Sequence, residues 1–267
     1  MSRTVGLVIP AFRPSLDVLR SYVLDLEDRV APETILIELD DPRPETLEAL
    51  TALPATVNVA PHRRGKGAAI TAGFCALETD VLAFVDADGA TAVESVGDVV
   101  DRVRDGRADL AVGSRRHPDA DVHHSQSARR ERLGDAFAWI ARRLLAVSVW
   151  DYQCGVKAID RTAWTELAPS LCESGFAWDV ELIALADALG YRIEEVPVTW
   201  ADAPDSTVSS VGTTLELAGG LLEAHHRAGR LRGDRLHESI ATRIPQATTV
   251  LETLEREPGR RFVPGDE

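Results

Sequence analysis

The feature that most limits what this chain can fold into is an alternation in its first half: short, largely apolar runs separated by longer stretches with a helical stripe. The runs are Val5–Ile9, Ile35–Leu39, Thr56–Val59, Val81–Val85 and Leu110–Val112. Runs this short, rich in valine, isoleucine and leucine, read as strands covered on both faces. Between the first two, Leu16, Leu19, Val23 and Leu26 mark a helix behind Ser15 as its cap. Further helices are expected at Thr46–Leu50, Ala68–Leu77 and Val93–Val103. Such alternation builds an α/β domain on a mostly parallel sheet.

In sheets of this kind ligands gather at the carboxyl ends of the strands. The residues that fall there are Asp40 or Asp41, Lys66, Asp86, Asp88 and Arg115. Asp86 and Asp88 follow the apolar run Val81–Val85 directly, and Gly89 lets the chain turn away. As a strand gives way to a turn, both carboxylates can reach one ligand. A hard cation such as Mg2+ takes one or two carboxylates and completes its shell with water and phosphate oxygens, so the pair suits a nucleotide diphosphate. The second Asp-x-Asp, Asp119-Ala120-Asp121, lies in a polar run with no strand before it and reads as chance. Lys66 and Lys157 are the chain's only lysines, and both sit near glycines. Gly65-Lys66-Gly67 opens a helix as either a phosphate contact or a flexible cap; it is no Walker A loop, because Gly67 stands where Ser or Thr should follow the lysine. On local grounds Asp40-Asp41-Pro42 fits a turn better than a ligand pair.

A formal charge of -14 over 267 residues argues against nucleic acid as a partner. Cys75, Cys154 and Cys172 contain no Cys-x-x-Cys, which speaks against a disulfide framework or a zinc knuckle. The N-terminus lacks the pattern of a signal peptide, and no uncharged apolar run approaches the ~20 residues that span a bilayer. The expectation is a soluble or peripheral protein.

The second half is more polar. His117, Asp119, Asp121, His123 and His124 lack a regular ligand spacing and read as a solvated loop rather than a metal cluster. A helix is expected over Arg129–Val147, with Leu133, Phe137, Ile140, Leu144 and Val147 as its buried stripe. Its arginines, Arg129, Arg130, Arg132, Arg142 and Arg143, are a local exception in an acidic chain and could meet a phosphate head group or a bilayer surface. A helix near Trp178–Leu189 carrying Asp179 and Glu181, a strand Ile193–Trp200, and helices Leu215–Leu231 and Leu236–Leu254, the last interrupted by Pro245, complete the reading. The expected organisation is a domain over residues 1–210, a helical segment over 211–257 and a frayed tail over 258–267.

From about Thr4 to Ser206 these residues resemble glycosyltransferase family 2, and within it the polyprenyl-phosphate (dolichyl-phosphate) hexosyltransferases. Val8-Ile9-Pro10-Ala11-Phe12 is similar to that family's opening strand and donor-binding turn, and Arg64-Gly65-Lys66-Gly67-Ala68-Ala69 to its glycine–lysine loop. Asp86-Ala87-Asp88-Gly89-Ala90-Thr91 is similar to its metal motif in the form typical of dolichyl-phosphate glucosyltransferases. Gly113-Ser114-Arg115, the stretch Asp151–Lys157 with Gln153, the stretch Phe176–Leu182 and the stretch Glu195–Trp200 continue the match in order. The resemblance implies a GT-A fold, Mg2+ or Mn2+, and inverting transfer of a hexose from a UDP-glucose or GDP-mannose donor to a lipid phosphate at the cytoplasmic face of a membrane. It implies that Pro10, Ala11, Phe12 and Asp40 or Asp41 hold the nucleoside and that Lys66 belongs to the donor site. Asp86 and Asp88 would hold nucleotide and metal, and Arg115 and Lys157 phosphates. Arg115, Arg129, Arg132 and Gln153 would lie on the acceptor side.

Were the acceptor a sugar hydroxyl, Asp151 or Asp179 would be the base; a phosphate monoester is already anionic and needs none. Ala90 stands where mannosyl-transferring relatives carry a glutamine that helps hold the metal, which favours a glucose-type donor. Arg13-Pro14, Pro42 and Arg63 depart from the family pattern around the base. Readings of other classes are a nucleotidyltransferase, which would want glycines straight after the first strand, and a nucleotide-sugar binder without activity.

Overall fold

Every expected apolar run becomes a strand of one sheet. In the computed structural model, residues 3–123, 137–145, 147–201, 212–235, 237, 239, 247–256 and 261–263 are described. The first half runs β1 (Val5–Phe12), α1 (Leu16–Val30), β2 (Thr34–Asp40), α2 (Pro44–Leu50), β3 (Thr56–Ala60), α3 (Lys66–Ala76), β4 (Val81–Val85), α4 (Val93–Arg104) and β5 (Leu110–Ser114). β2, β1 and β4 are mutually parallel neighbours, with β3 parallel beyond β2. The chain thus winds outward from β1 in one direction and returns to its other side with β4, a topological switch point of the kind that opens a crevice at the strands' carboxyl ends.

Alternate side chains of each strand serve two cores. Leu7, Ile9, Ile37, Leu39, Ala83 and Val85 pack with the buried stripes of α1 and α4, whereas Val8, Leu36, Leu82 and Phe84 pack with α3 on the opposite face. Burial on both faces is why these runs show no polar alternation, and each such side chain contributes about 1.5–3 kcal/mol relative to exposure.

Four local expectations change. β1 continues through Pro10 to Phe12: its register with β4 ends at Val8 while that with β2 runs on, an edge situation in which proline is tolerated. A further strand, β7 (Val156–Asp160), lies antiparallel between β4 and β5. It leads into α5 (Arg161–Leu167), whose first amides are capped by the Asp160 carboxylate. The single strand expected over Ile193–Trp200 is two: β8 (Ile193–Pro197) pairs with β5, and β9 (Thr199–Ala201) pairs with β6 (Asp121–His123) in a separate ribbon. The main sheet therefore reads β10-β3-β2-β1-β4-β7-β5-β8. Its outer strand, β10 (Arg261–Val263), belongs to the stretch expected to fray; it pairs antiparallel with the edge that β3 would otherwise present.

The helix expected over Arg129–Val147 falls partly outside the described residues, as do Arg129 and Arg132 themselves. Residues 137–144 are helical: Phe137, Leu144 and Val147 of the expected stripe pack toward the core beside the buried Ala138, Ala141 and Leu145, whereas Ile140 (44 % exposed) turns outward with Trp139 (58 % exposed). α6 (Trp178–Ala188) sits where the sequence places it, and α7 (Gly212–Leu231) packs on it. Of the last expected helix, α8 (Val250–Glu255) is present, opened by a Thr249–Glu252 capping box. No described helix is long and apolar enough to cross a membrane.

Candidate functional site

The end of β4 is bound to the start of β7. The Asp86 amide donates to the Gly155 carbonyl (2.8 Å), and a Cβ on Gly155 would stand 2.3 Å from Asp86 Oδ2. Glycine is required there for the acidic turn to lie against β7. Asp88 Oδ1 accepts the Ala90 amide (3.0 Å), and the Tyr22 hydroxyl donates to the Thr91 carbonyl (2.6 Å) from beneath. Asp88 is open to solvent at the mouth of the crevice, yet its carboxyl is raised above the usual range, first by the protein crowded around it and then by Asp86. Two acids that repel each other at the rim of a crevice favour a cation between them.

Both lysines converge behind these acids. Lys66 Nζ lies 2.9 Å from Asp86 Oδ1 and 3.2 Å from Asp179 Oδ2. Lys157 Nζ donates to Asp179 Oδ1 (2.7 Å) and to the Cys154 carbonyl (3.0 Å). The two ammonium groups flank the Phe84 ring, 5.1 and 5.7 Å from its centroid. Burial works against the charge of Lys66, but Asp179 and Asp86 outweigh it, so its pKa is raised. Lys157 is 1 % exposed. From its position opposite Phe84, on the strand between β4 and β5, it holds Asp179.

On the other rim, Arg115 forms a two-pronged pair with Asp151, Nε to Oδ2 at 2.7 Å and Nη2 to Oδ1 at 3.1 Å. Asp151 also accepts the Gln153 amide (3.0 Å), and the Glu195 carboxylate accepts the amides of Trp150 and Asp151 (2.8 and 2.9 Å). Burial tends to raise the Asp151 carboxyl, but the guanidinium prevails and holds it well below its ordinary value. Both acids offered by the sequence as bases, Asp151 and Asp179, are thus buried and engaged by cations.

The nucleoside residues divide. Asp40 accepts the Arg64 amide (2.7 Å), Arg64 Nε (2.8 Å) and the Gly65 amide (3.3 Å), while Arg64 Nη2 reaches Glu38 (2.8 Å). Asp40, 3 % exposed, thereby shapes the glycine–lysine loop, its oxygens taken up by these partners. Asp41, at positive φ (46°), turns outward and lines a cleft of about 210 Å³ with Arg13, Pro14, Pro42, Arg43 and Thr46. Arg63 and Arg13 stack on the Phe12 ring beside it, at 4.4 and 5.0 Å. Pro10 and Ala11 are built into β1.

Glu38 is not singled out by the sequence, and Arg64 and Glu195 enter it only as members of motifs; their roles leave no spacing to detect, because each acts on backbone or on another buried charge. The polar stretch around His117 forms solvated pairs, His117 with Asp119 and His123 with Asp121; His124 lies outside the described residues. Among the described residues no three His, Cys, Asp or Glu side chains are grouped to hold a metal. That leaves Asp86 and Asp88, a donor set suited to a cation that takes its remaining oxygens from a bound phosphate.

Known proteins share both sequence and fold with this chain. Glycosyltransferase AglD of Haloferax volcanii is 31% identical over 228 residues, which are 82% of this chain and 36% of that protein. The dolichyl-phosphate beta-glucosyltransferase of Dictyostelium discoideum is 29% identical over 170 residues, 62% of this chain and 52% of the relative. The chain thus spans about a third to a half of the length of these relatives. Among solved structures, glucosyl-3-phosphoglycerate synthase from Mycobacterium tuberculosis, in complex with Mn2+, uridine diphosphate and glucosyl-3-phosphoglycerate, superposes with a TM-score of 0.65 at 20% identity. The match covers 83% of this chain and 80% of that one and shows a shared GT-A-like fold. Residues 7–164 match the model described as glycosyl transferase family 2, more than half of the chain, and the protein belongs to that family of glycosyltransferases.

Proposed function

We propose that this glycosyltransferase moves a hexose, from a donor of the UDP-glucose kind, with inversion to a polyprenyl phosphate. The observation that carries the acceptor reading is the state of its two buried acids. Asp151 and Asp179 are each buried with their oxygens taken up by cations, an arrangement that suits an attacking oxygen that arrives already ionised. A phosphate monoester, with a second pKa near ~6, does so at neutral pH, whereas a sugar hydroxyl does not. Several relatives are dolichyl-phosphate beta-glucosyltransferases, which supports the same choice.

Asp86 and Asp88 would hold Mg2+ or Mn2+, which when bound offsets the charge of the departing diphosphate. Lys66, fixed between Asp86 and Asp179, presents a permanent positive charge beside that diphosphate. Asp41 and the arginine-stacked Phe12 border the cleft for the nucleoside. Arg115, oriented by Asp151, meets the acceptor phosphate, with Gln153 beside it. Arg129 and Arg132 are proposed for the same acceptor from the local run of arginines in the sequence. A bilayer surface fits this rim: Trp150 (46 % exposed) and Trp139 stand outward with Arg142 and Arg143 stacked on their rings.

The test offers UDP-glucose, other UDP-hexoses and GDP-mannose, with Mn2+ or Mg2+, to a short polyprenyl phosphate in vesicles and, separately, to phosphoglyceric acid. The expected product is a glycosylated polyprenyl phosphate from UDP-glucose. Transfer to phosphoglyceric acid only, or from GDP-mannose only, would replace the acceptor or the donor reading respectively.

Asp151→Asn is expected to slow transfer while leaving the shape of the pH–rate profile intact, rising with ionisation of the acceptor phosphate. A lost limb in that variant would restore Asp151 as a base. Because its folded pKa is depressed, the Arg115–Asp151 pair stabilises the chain above the ordinary carboxylate range and loses that effect as pH falls toward its folded value. The variant's deficit in melting temperature should therefore be full at neutral pH and shrink in acid.

A further inference from the structure

One side chain of α7 ties that helix to the turn beside this site. Arg227 of α7 lies 2.5 Å (Nε) from Glu181 Oε1 and 3.0 Å (Nη2) from Glu173 Oε1. The first is a charge contact whose N–H is not aligned as a hydrogen bond. Glu181 is fully buried in α6, and its other oxygen accepts the amides of Cys172 (3.0 Å) and Glu173 (2.8 Å). The turn pinned in this way presents the Ser174 carbonyl to the Ala68 amide (3.0 Å). Ala68 is in the first turn of α3, where amides have no partner within the helix, and Gly65 at the N-cap has no side chain to offer. The same Ser174 oxygen lies 2.6 Å from where a Cβ on Gly65 would stand, so turn and loop meet backbone to backbone. Lys66 follows at once, between Asp86 and Asp179.

We propose that Arg227 is a positioning residue for the Gly65-Lys66-Gly67 loop: by neutralising Glu181 and Glu173 it keeps the 172–175 turn seated on the amino end of α3. Where Lys66 meets a diphosphate then depends on a helix outside the residues matched by the family model; this last step rests on the donor reading above. Glu181 shows why the arginine matters. Burial pushes its carboxyl up to about 7 even with Arg227 drawing it down. Without the guanidinium it takes a proton, and a protonated carboxyl is a weaker acceptor for the two amides that hold the turn.

Hydrogen exchange on the full, ligand-free chain tests the clasp, and calorimetry with uridine diphosphate and Mn2+ tests its consequence. In Arg227→Met, exchange in peptides covering 65–69 and 172–176 should quicken by about tenfold or more while β1 and β4 stay protected. Glu181→Gln, which keeps an acceptor oxygen but not the ion pair, should show the same pattern to a smaller degree. Glu223→Gln, which removes only Arg227's exposed partner on its own helix, should leave exchange unchanged. Arg227→Lys should recover part of the protection. Affinity for uridine diphosphate with Mn2+ should fall about tenfold in Arg227→Met, and the donor KM should rise more than kcat falls. Unchanged exchange at 65–69, or a uniform loss across the sheet, would overturn the proposal. If the exchange pattern changes as described but the unmodified chain binds no uridine diphosphate, the clasp stands and the donor reading fails.

Discussion

Asp88→Ala is expected to reduce transfer by about a thousandfold or more, whatever acceptor is offered, because the charge that offsets the leaving diphosphate loses its anchor at the crevice mouth. The same substitution should not weaken the fold. Asp88 is an acid whose ionisation is disfavoured by its surroundings and by Asp86. An acid with a raised folded pKa stabilises the native state only while protonated, so at neutral pH its ionised form detracts from stability. Asp88→Asn should therefore melt no lower than the unmodified chain at pH 7 while being just as inactive. Initial rates, melting curves and Mn2+-dependent binding of uridine diphosphate check the three parts. Substantial transfer by Asp88→Ala in the presence of a chelator would end the metal reading.

The second large effect lies beneath the site. Lys157→Met keeps the bulk of the side chain but leaves the buried Asp179 with Lys66 as its remaining cation at 3.2 Å. Breaking one side of a buried pair typically costs about 3–5 kcal/mol, chiefly through the charge left behind. With a second lysine still near, the lower value applies, and a loss of about 3 kcal/mol lowers the melting temperature by about 6–12 °C in a chain of this size. Removing the stranded charge as well, in Lys157→Met/Asp179→Asn, should recover more than half of that loss. Activity should not return, because Lys66 is then held by Asp86 and a neutral amide. A single variant that melts like the unmodified chain would show that Asp179 does not depend on Lys157.

Both predictions turn on a distinction that local sequence does not draw. Lys66 and Lys157 look alike on paper, each a rare lysine near a glycine. Lys66 keeps a partly exposed side chain beside Asp86 while Lys157 is buried, since Lys157 is paired opposite Phe84 and Val112 on an antiparallel strand with no strand signal of its own strong enough to be read. Asp40 and Asp41 are consecutive in the same way. Asp40 points back to Arg64 and the loop, while Asp41, at positive φ, turns into the cleft. Glu181 was visible as a member of a motif, but its partner Arg227 lies 46 residues further on, and no periodicity connects them.

What the amino-acid order determined without help was the α/β class, the first five strands, and the placing of Asp86, Asp88 and Lys66 at strand ends. These follow from short-range physics: apolar runs buried on both faces, glycines that release the chain, acids directly after a strand. Only the tertiary structure decided which charges are buried against each other and which stay open to solvent. A buried ion pair is chosen by distance in space, and strands that run antiparallel across the sheet bring together residues whose separation along the chain carries no signal.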